Sequence, residues 1–268
     1  MAPFNPPACI ENNITDGFGI RVTSHYEQNC SGMHYHDNTN IVFMLHGGCI
    51  ENRKNTSCQR VAADILFLHA GETHETVISC SPAKYISLDI EAGLLSAHGL
   101  DEDCLLNSIA VVPDAKFLLL KMYHELLQTD TCSKDSIQML FLEFSTLSKK
   151  VQHKKNPPGW IKIIYELLND KWDESITLAD LSIAAGVNAV TISRYFPAYF
   201  ASTLGAYRRK LKVERSLSII SKGKTSLTGA AYDCNFSDQS HFIRTFKQLT
   251  SFSPGAYRRM VRTPAAAR

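Results

Sequence analysis

The sequence predicts an α+β protein with a strand-rich N-terminal half and an all-helical C-terminal half. Three observations carry that expectation. Short β-branched and aromatic runs broken by turn residues fill the stretch from Ile20 to Ile90. From Pro113 onward, apolar residues recur at helical spacing. Finally, one pattern occurs twice: Ile-Ser-Arg-Tyr-Phe at Ile192–Phe196 returns as Phe-Ile-Arg-Thr-Phe at Phe242–Phe246, and each copy runs into Gly-Ala-Tyr-Arg-Arg, at Gly205–Arg209 and Gly255–Arg259.

Charge divides along the same line. The whole chain of 268 residues has a net charge of only +2, but residues 1–156 hold 12 Lys and Arg against 18 Asp and Glu, while residues 157–268 hold 16 against 8. The basic half is where a polyphosphate partner is expected, because attraction to phosphate supplies nearly all non-specific affinity for DNA. A hydrophobic fraction of 44% excludes disordered and fibrous classes, and the length suits two cores. The opening MAPFNPPACIENN has neither a basic start nor an apolar run, no stretch approaches a membrane span, and the eight cysteines include no CxxC pair. These features predict a reduced, cytoplasmic compartment, with most cysteines buried as small apolar residues.

In the first half the expected strands are Gly19–Tyr26, Thr39–His46, Gly48–Lys54, Asp64–His69, His74–Cys80 and Ala83–Ile90, separated by turn-forming residues. His34 and His36, at alternate positions on an extended chain, point to one side, and His74 can join them from a neighbouring strand. Such a set can hold a metal or line a metal-free ligand pocket. This arrangement resembles the cupin superfamily. Its first motif maps onto His34, His36, Asn40 and Gly47, and its second onto the run from Asp64 through Gly71 to His74. Two departures stand out, Asn40 at the acidic ligand position and His69 at the usual turn proline. The resemblance implies a cupin-like barrel or sandwich over residues 1–112, with His34, His36, Asn40 and His74 in an effector pocket. His34, His36 and His74 would hold any divalent metal, zinc or iron, although no cofactor is certain.

Two amphipathic helices are expected over residues 113–151, the first carrying Phe117, Leu120, Tyr123 and Leu127 on its stripe, the second Ile137, Phe141, Phe144 and Val151. They pack on their own barrel, and any leftover face would serve a homodimer. Residues 152–159, ending in Pro157-Pro158-Gly159, read as a linker.

Residues 160–268 begin with a helix from Trp160 to Trp172. Leu178–Ala185 then reads as a helix stopped by Gly186, with Asn188 capping the next one. Helix, short glycine turn, helix is the helix-turn-helix signature. The second unit repeats it from Leu227, with Asn235 at the turn and a helix start near Ser237 or Asp238. Thr203–Ser221 reads as a connecting helix about 28 Å long, close to the roughly 34 Å between successive major grooves on one side of B-DNA. Ile192, Tyr195 and Phe196 are the expected inward residues of the first recognition helix, and Phe242 and Phe246 those of the second. Pro197 should end or kink the first one early.

Ala231, Asn235, Phe236, Asp238, Phe242, Arg244, Phe246, Lys247, Ser253, Pro254, Tyr257 and Arg258 follow the order of a C-terminal signature, and over residues 160–262 the chain resembles the AraC/XylS transcription regulators. The resemblance implies base contacts by Val190, Ser193 and Arg194 in the first unit and by Gln239, Ser240, Ile243 and Arg244 in the second. Phosphate contacts are expected from Arg208, Arg209, Lys212, Lys247 and Arg258. The expected function is a non-enzymatic, sequence-specific regulator binding double-stranded DNA and a small-molecule effector. It would act as a homodimer, with RNA polymerase as a further candidate partner. The alternative is a metal-dependent cupin enzyme joined to a DNA-binding module.

Overall fold

The computed structural model describes residues 8–15, 17–111, 113–128, 130–152 and 157–262. Six antiparallel strands form one sheet: β1 (Ala8–Thr15), β2 (Phe18–His25), β3 (Thr39–Arg53), β4 (Thr56–Val61), β5 (Ile65–Leu68) and β6 (His74–Ile90). Their order is β1-β2-β6-β3-β4, with β5 also paired to β3. Two expected strand pairs fuse: Thr39–His46 with Gly48–Lys54 into β3, and His74–Cys80 with Ala83–Ile90 into β6. The breaks expected at residue 47 and over residues 81–82 become irregularities instead, because the two strands pair continuously except for register shifts between Met44 and Cys49. Gly47 takes a φ of +73°, and a Cβ there would lie 2.4 Å from the Cys80 carbonyl oxygen. No sequence expectation covered β1 or β4.

Period-two alternation gives the sheet two different faces. Ile20, Val22, Ile41, Phe43, Leu45, Ile86 and Leu88 enter a hydrophobic core shared with helices, whereas Arg21, Thr23, Asn40, Val42, Met44, Tyr85 and Ser87 face a cavity. After the last expected strand, the strand-rich segment also holds two short helices that no expectation named, α1 (Ala92–Ala97) and α2 (Glu102–Val111). They precede α3 (Asp114–Gln128) and α4 (Ser133–Gln152), and Phe141 of α4 stacks on Phe18 of β2 at 4.6 Å. Leu127, expected on the packed stripe, is exposed. The expected linker falls partly on residues 153–156, which lie outside the described residues.

The helical half contains α5 (Gly159–Asp170), α6 (Leu178–Ala185), α7 (Ala189–Phe200), α8 (Leu204–Lys222), α9 (Leu227–Asp233), α10 (Gln239–Thr250) and α11 (Pro254–Arg262). Local chemistry sets these boundaries. Thr177 and Asp180 form a reciprocal capping box, and Asn188, Thr203, Ser226 and Asp238 each cap a following helix through a side-chain oxygen. Gly186 (φ 64°) and Asn235 (φ 53°) make the left-handed turns.

The fifty-residue repeat is also a packing repeat. Phe196 and Phe200 stack at 4.1 Å against buried Tyr207, and Phe246 meets buried Tyr257 at 5.6 Å. Contrary to expectation, Pro197 does not end α7, which continues to Phe200. Carrying the helix one more turn buries Phe200 against Phe196 and Tyr207, and that burial outweighs the hydrogen bond that proline removes. Tyr195 is 47% exposed rather than inward, with the Arg194 guanidinium 5.7 Å from its ring centre.

The two units do not share one core. The first, with Ile164, Leu181, Ile192, Phe196 and Tyr207, has its own. The second, with Ala231, Phe242, Phe246 and Tyr257, is continuous with the N-terminal core. Helix α8 serves both, through Tyr207 and Leu211 on one side and Val213, Leu217 and Ile220 on the other. Of the seven described thiols, Cys49, Cys104 and Cys234 are buried but Cys30, Cys58, Cys80 and Cys132 are exposed. The expectation of mostly buried cysteines therefore fails, because the exposed strand β4, the irregular middle of β6 and two loops carry the others.

Candidate nucleic-acid interface and ligand cavity

Each recognition helix starts at a polar cap and turns its core residues inward, Ile192, Phe196 and Phe200 on α7 and Phe242 and Phe246 on α10, which leaves the opposite face to solvent. On α7, Val190, Ser193 and Arg194 are exposed. On α10, Ser240 and Arg244 are exposed, while Gln239 and Ile243 are half-buried. The seven positions expected to read bases thus fall on the two outward helix faces. Oxygen-bearing and cationic groups there can meet base edges, and Val190 and Ile243 can meet thymine methyls.

The expected phosphate contacts separate into two groups. Arg208 donates to the carbonyls of Ile176 and Glu174, both at 2.8 Å, and Arg258 donates to the carbonyl of Thr225 at 2.7 Å. Fifty residues separate the two arginines and forty-nine separate Ile176 from Thr225, so this is one bond made twice. In each unit the first arginine of Gly-Ala-Tyr-Arg-Arg ties the third helix to the chain entering the supporting helix. Lys212 donates to the carbonyl of Asn235 at 2.6 Å, and the Asn235 amide donates to the carbonyl of Asp173. These bonds fasten the second unit's turn to α8 and to the loop after α5. Arg209 and Lys247 are exposed.

The inner face of the sheet encloses a cavity of about 400 Å³. Its apolar part comes from Val42, Met44, Leu66, Leu68 and Ile78, and its polar part includes Arg21, His25, His34, His36, Asn40, His74 and Tyr85. The four expected pocket residues therefore meet in one cavity. His34 and His36 lie on the segment between β2 and β3, outside both strands. A bridge between His34 and His74, with 2.8 Å backbone hydrogen bonds in both directions, brings them to β6. Ligating atoms of His34, His36 and His74 lie within 4.8 Å of one another. Nδ1 of His34 is 2.9 Å from the Gly32 carbonyl and Nδ1 of His74 is 3.0 Å from the Glu72 carbonyl, which leaves Nε2 of each as the acceptor. Burial, helped by the neighbouring imidazoles and Arg21, pulls the pKa of His36 below its ordinary value, so its neutral form is favoured. Three imidazoles of this geometry fit a divalent metal and equally fit a hydrogen-bonding ligand.

Asn40 supplies no acid: its amide donates to Asp89 at 3.4 Å, beside a 2.7 Å bond from Asn38 to the same carboxylate. His69 takes its place at the turn through Glu102 of α2, whose carboxylate lies 2.7 Å from Nδ1 of His69 and accepts from Thr39 at 2.6 Å and from the Ala70 N–H at 2.8 Å. Burial acts to raise the Glu102 pKa, but these bonds prevail and hold it below the ordinary carboxylate value. Sequence reasoning missed Glu51, which is buried on the inner face near His74. One oxygen accepts from Thr76 at 3.0 Å and the other is 3.9 Å from Nε of Arg53. Burial pushes its pKa up. Cys49 and Glu51, two apart on β3, are both buried, while Arg53, the next residue at that spacing, is half-buried.

The cavity wall also touches the helical half. His46 Nδ1 lies 3.1 Å from Ser221 Oγ, which donates to the Leu45 carbonyl at 2.9 Å, and Lys84 donates to the Met260 carbonyl at 3.0 Å. Met44 and Tyr85, next to these contacts in sequence, line the cavity. Farther along α8, Lys210 pairs with Asp114 at 2.7 Å and Glu214 with Lys116 at 2.5 Å.

Residues 181–260 match a helix-turn-helix domain family. The HTH-type transcriptional activator RhaS of Shigella sonnei is 22% identical over 82% of this chain and 85% of its own. A Bacillus subtilis protein described as an uncharacterized HTH-type transcriptional regulator, YdeC, is 22% identical over 95% of this chain and 92% of its own. Among solved structures, ToxT of Vibrio cholerae aligns over 92% of this chain and 100% of its own with 14% identity and a TM-score of 0.40. A cupin superfamily protein of Desulfitobacterium hafniense aligns over 34% of this chain and 83% of its own with 14% identity and a TM-score of 0.31. Among the described residues, no helix is long and apolar enough to cross a membrane.

Proposed function

We propose that this chain, an AraC-type protein with paired helix-turn-helix units behind a cupin-like β domain, is a sequence-specific transcription regulator whose β domain senses a small-molecule effector. The observation that carries this reading is the pair of capped recognition helices, each packed by the same aromatic repeat against the helix that follows it, Phe196 on Tyr207 of α8 and Phe246 on Tyr257 of α11. Val190, Ser193, Arg194, Gln239, Ser240, Ile243 and Arg244 are the proposed base readers, with Arg209 and Lys247 on phosphates. In organisation, residues 1–112 sense, 113–151 connect, 152–159 link and 160–268 bind DNA. A cytoplasmic location is proposed alongside the DNA partner. A homodimer and RNA polymerase are further proposed partners, with exposed Leu106 and Met139 as apolar positions open to a second chain.

The cavity suits a small amphipathic effector, with an apolar body against Val42, Leu66 and Ile78 and an accepting or anionic group near Arg21 and the imidazoles. Its occupancy can reach the second DNA-binding unit, because the residues beside Met44 and Tyr85 hold α8 and α11.

Footprinting of the DNA adjoining the gene, with and without candidate metabolites, tests the reading. A protected site about two helical turns long, altered by a metabolite, is the expected result. Uniform protection of any sequence would overturn it in favour of an architectural binder. The histidine cluster sustains one alternative, a metal-dependent enzyme. There His34, His36 and His74 would hold zinc or iron, which would supply Lewis-acid chemistry at an open position. Stoichiometric metal retained by purified protein and lost in His36→Ala would support that metal site.

A further inference from the structure

The two units differ in one contact that neither the aromatic repeat nor the basic charge explains. In the second unit, Oγ1 of Thr228 donates to Oε1 of Gln239 at 3.0 Å. Thr228 lies in the first turn of the supporting helix α9, and Gln239 is the first residue of the recognition helix α10. Through the forty-nine- and fifty-residue offsets of the repeat, their counterparts in the first unit are Ala179 and Ala189, which have no polar side-chain atoms to join.

A glutamine carboxamide can present either end to a base. With both ends free, it pairs with adenine by donating to N7 and accepting from N6. Here the oxygen is turned back onto the supporting helix, so the NH2 is the end left for the groove. We propose that Thr228 is a positioning residue that makes Gln239 a hydrogen-bond donor toward DNA. The second unit would then select, at one base pair, an edge that only accepts: guanine first, through N7 and O6, with cytosine and its N4 donor rejected. The contact also fixes a flexible side chain before DNA arrives, which lowers the ordering penalty of recognition. This inference rests on the DNA-reading function proposed above.

The test uses the full-length protein and selection from a pool of random duplexes. Competition follows, with duplexes carrying each of the four bases at the position that Gln239→Ala makes indifferent. Wild-type protein is expected to prefer guanine to cytosine there by about tenfold. Thr228→Val, nearly isosteric but without the hydroxyl, should reduce that ratio to about twofold, leave preferences at other positions in place and unfold at the wild-type midpoint. Thr228→Ser should restore the ratio. Three results would overturn the proposal: a preference that survives in Thr228→Val, a wild-type preference for cytosine, or no position that responds to Gln239→Ala. If the wild-type protein selects no sequence at all, the DNA-reading function fails and this inference with it.

Discussion

Lys84 of β6 and Met260 of α11 are joined by a hydrogen bond of 3.0 Å from the Lys84 ammonium to the Met260 carbonyl. Lys84 is buried, and its ammonium also lies 5.4 Å from the centre of the Tyr123 ring. Burial depresses its pKa from 10.5 to about 8. Across that interval the unfolded chain holds a proton that the folded chain has released, so stability should rise with pH between 8 and 10.5. Below pH 8 the penalty for burying the charge is fully present. Urea unfolding from pH 7.5 to 10 should show a gain of up to about 3 kcal/mol, and Lys84→Met should lose that pH-dependent increment. An unchanged slope in the variant would show that Lys84 is not the titrating group.

The paired arginine bonds predict that two neighbouring residues behave differently. Arg258→Ala leaves the Thr225 carbonyl without its donor and should destabilise the second unit by about 1 to 3 kcal/mol in thermal or chemical denaturation. Arg209→Ala should unfold like wild type but bind DNA less tightly on every sequence, with a salt dependence shallower by about one counterion. Reversal of those results would exchange their roles.

Pro197 occupies the interior of α7 without ending it, and it is exposed. Alanine there restores an N–H for the Ser193 carbonyl and keeps the aromatic packing. Pro197→Ala should therefore stabilise the first unit by about 1 to 3 kcal/mol. Calorimetry should detect the rise in midpoint, and a fall would mean that proline is preferred in this helix.

Arg244 is exposed on the outward face of α10. Arg244→Ala should relax preference at one or two base pairs by about 1 to 3 kcal/mol in competition binding, with little change at other positions. Equal weakening on all sequences would assign Arg244 to phosphate instead.

At Gly47 the positive φ leaves no room for a side chain, since a Cβ would stand 2.4 Å from the Cys80 carbonyl oxygen. Gly47→Ala should cost more than about 2 kcal/mol and loosen the crossing that separates the cavity from α8. Limited proteolysis and denaturation would both report it.

Much of the helical half was legible because its signals are local. Gly186, Asn188, Asn235 and Asp238 announce turns and caps within a few residues, and Phe196, Tyr207, Phe246 and Tyr257 repeat at a fixed interval. The sheet was only partly legible, since β4 has an exposed, unpatterned sequence and the fused strands contain residues that ordinarily mark turns. His34, His36 and His74 could be grouped from spacing, but their backbone bridge could not.

The sequence by itself determined the helices of the C-terminal half, the two-unit repeat and most of the inward and outward positions of the recognition helices, because each follows from short-range periodicity and capping chemistry. Only the tertiary structure decided which charged and polar groups remain available. Arg208 and Arg258 turn to backbone carbonyls, Glu51 turns inward, Lys84 is buried on α11 and Thr228 holds Gln239. A side chain's function depends on the partners that residues far away in sequence bring to it, and chain folding alone supplies those partners.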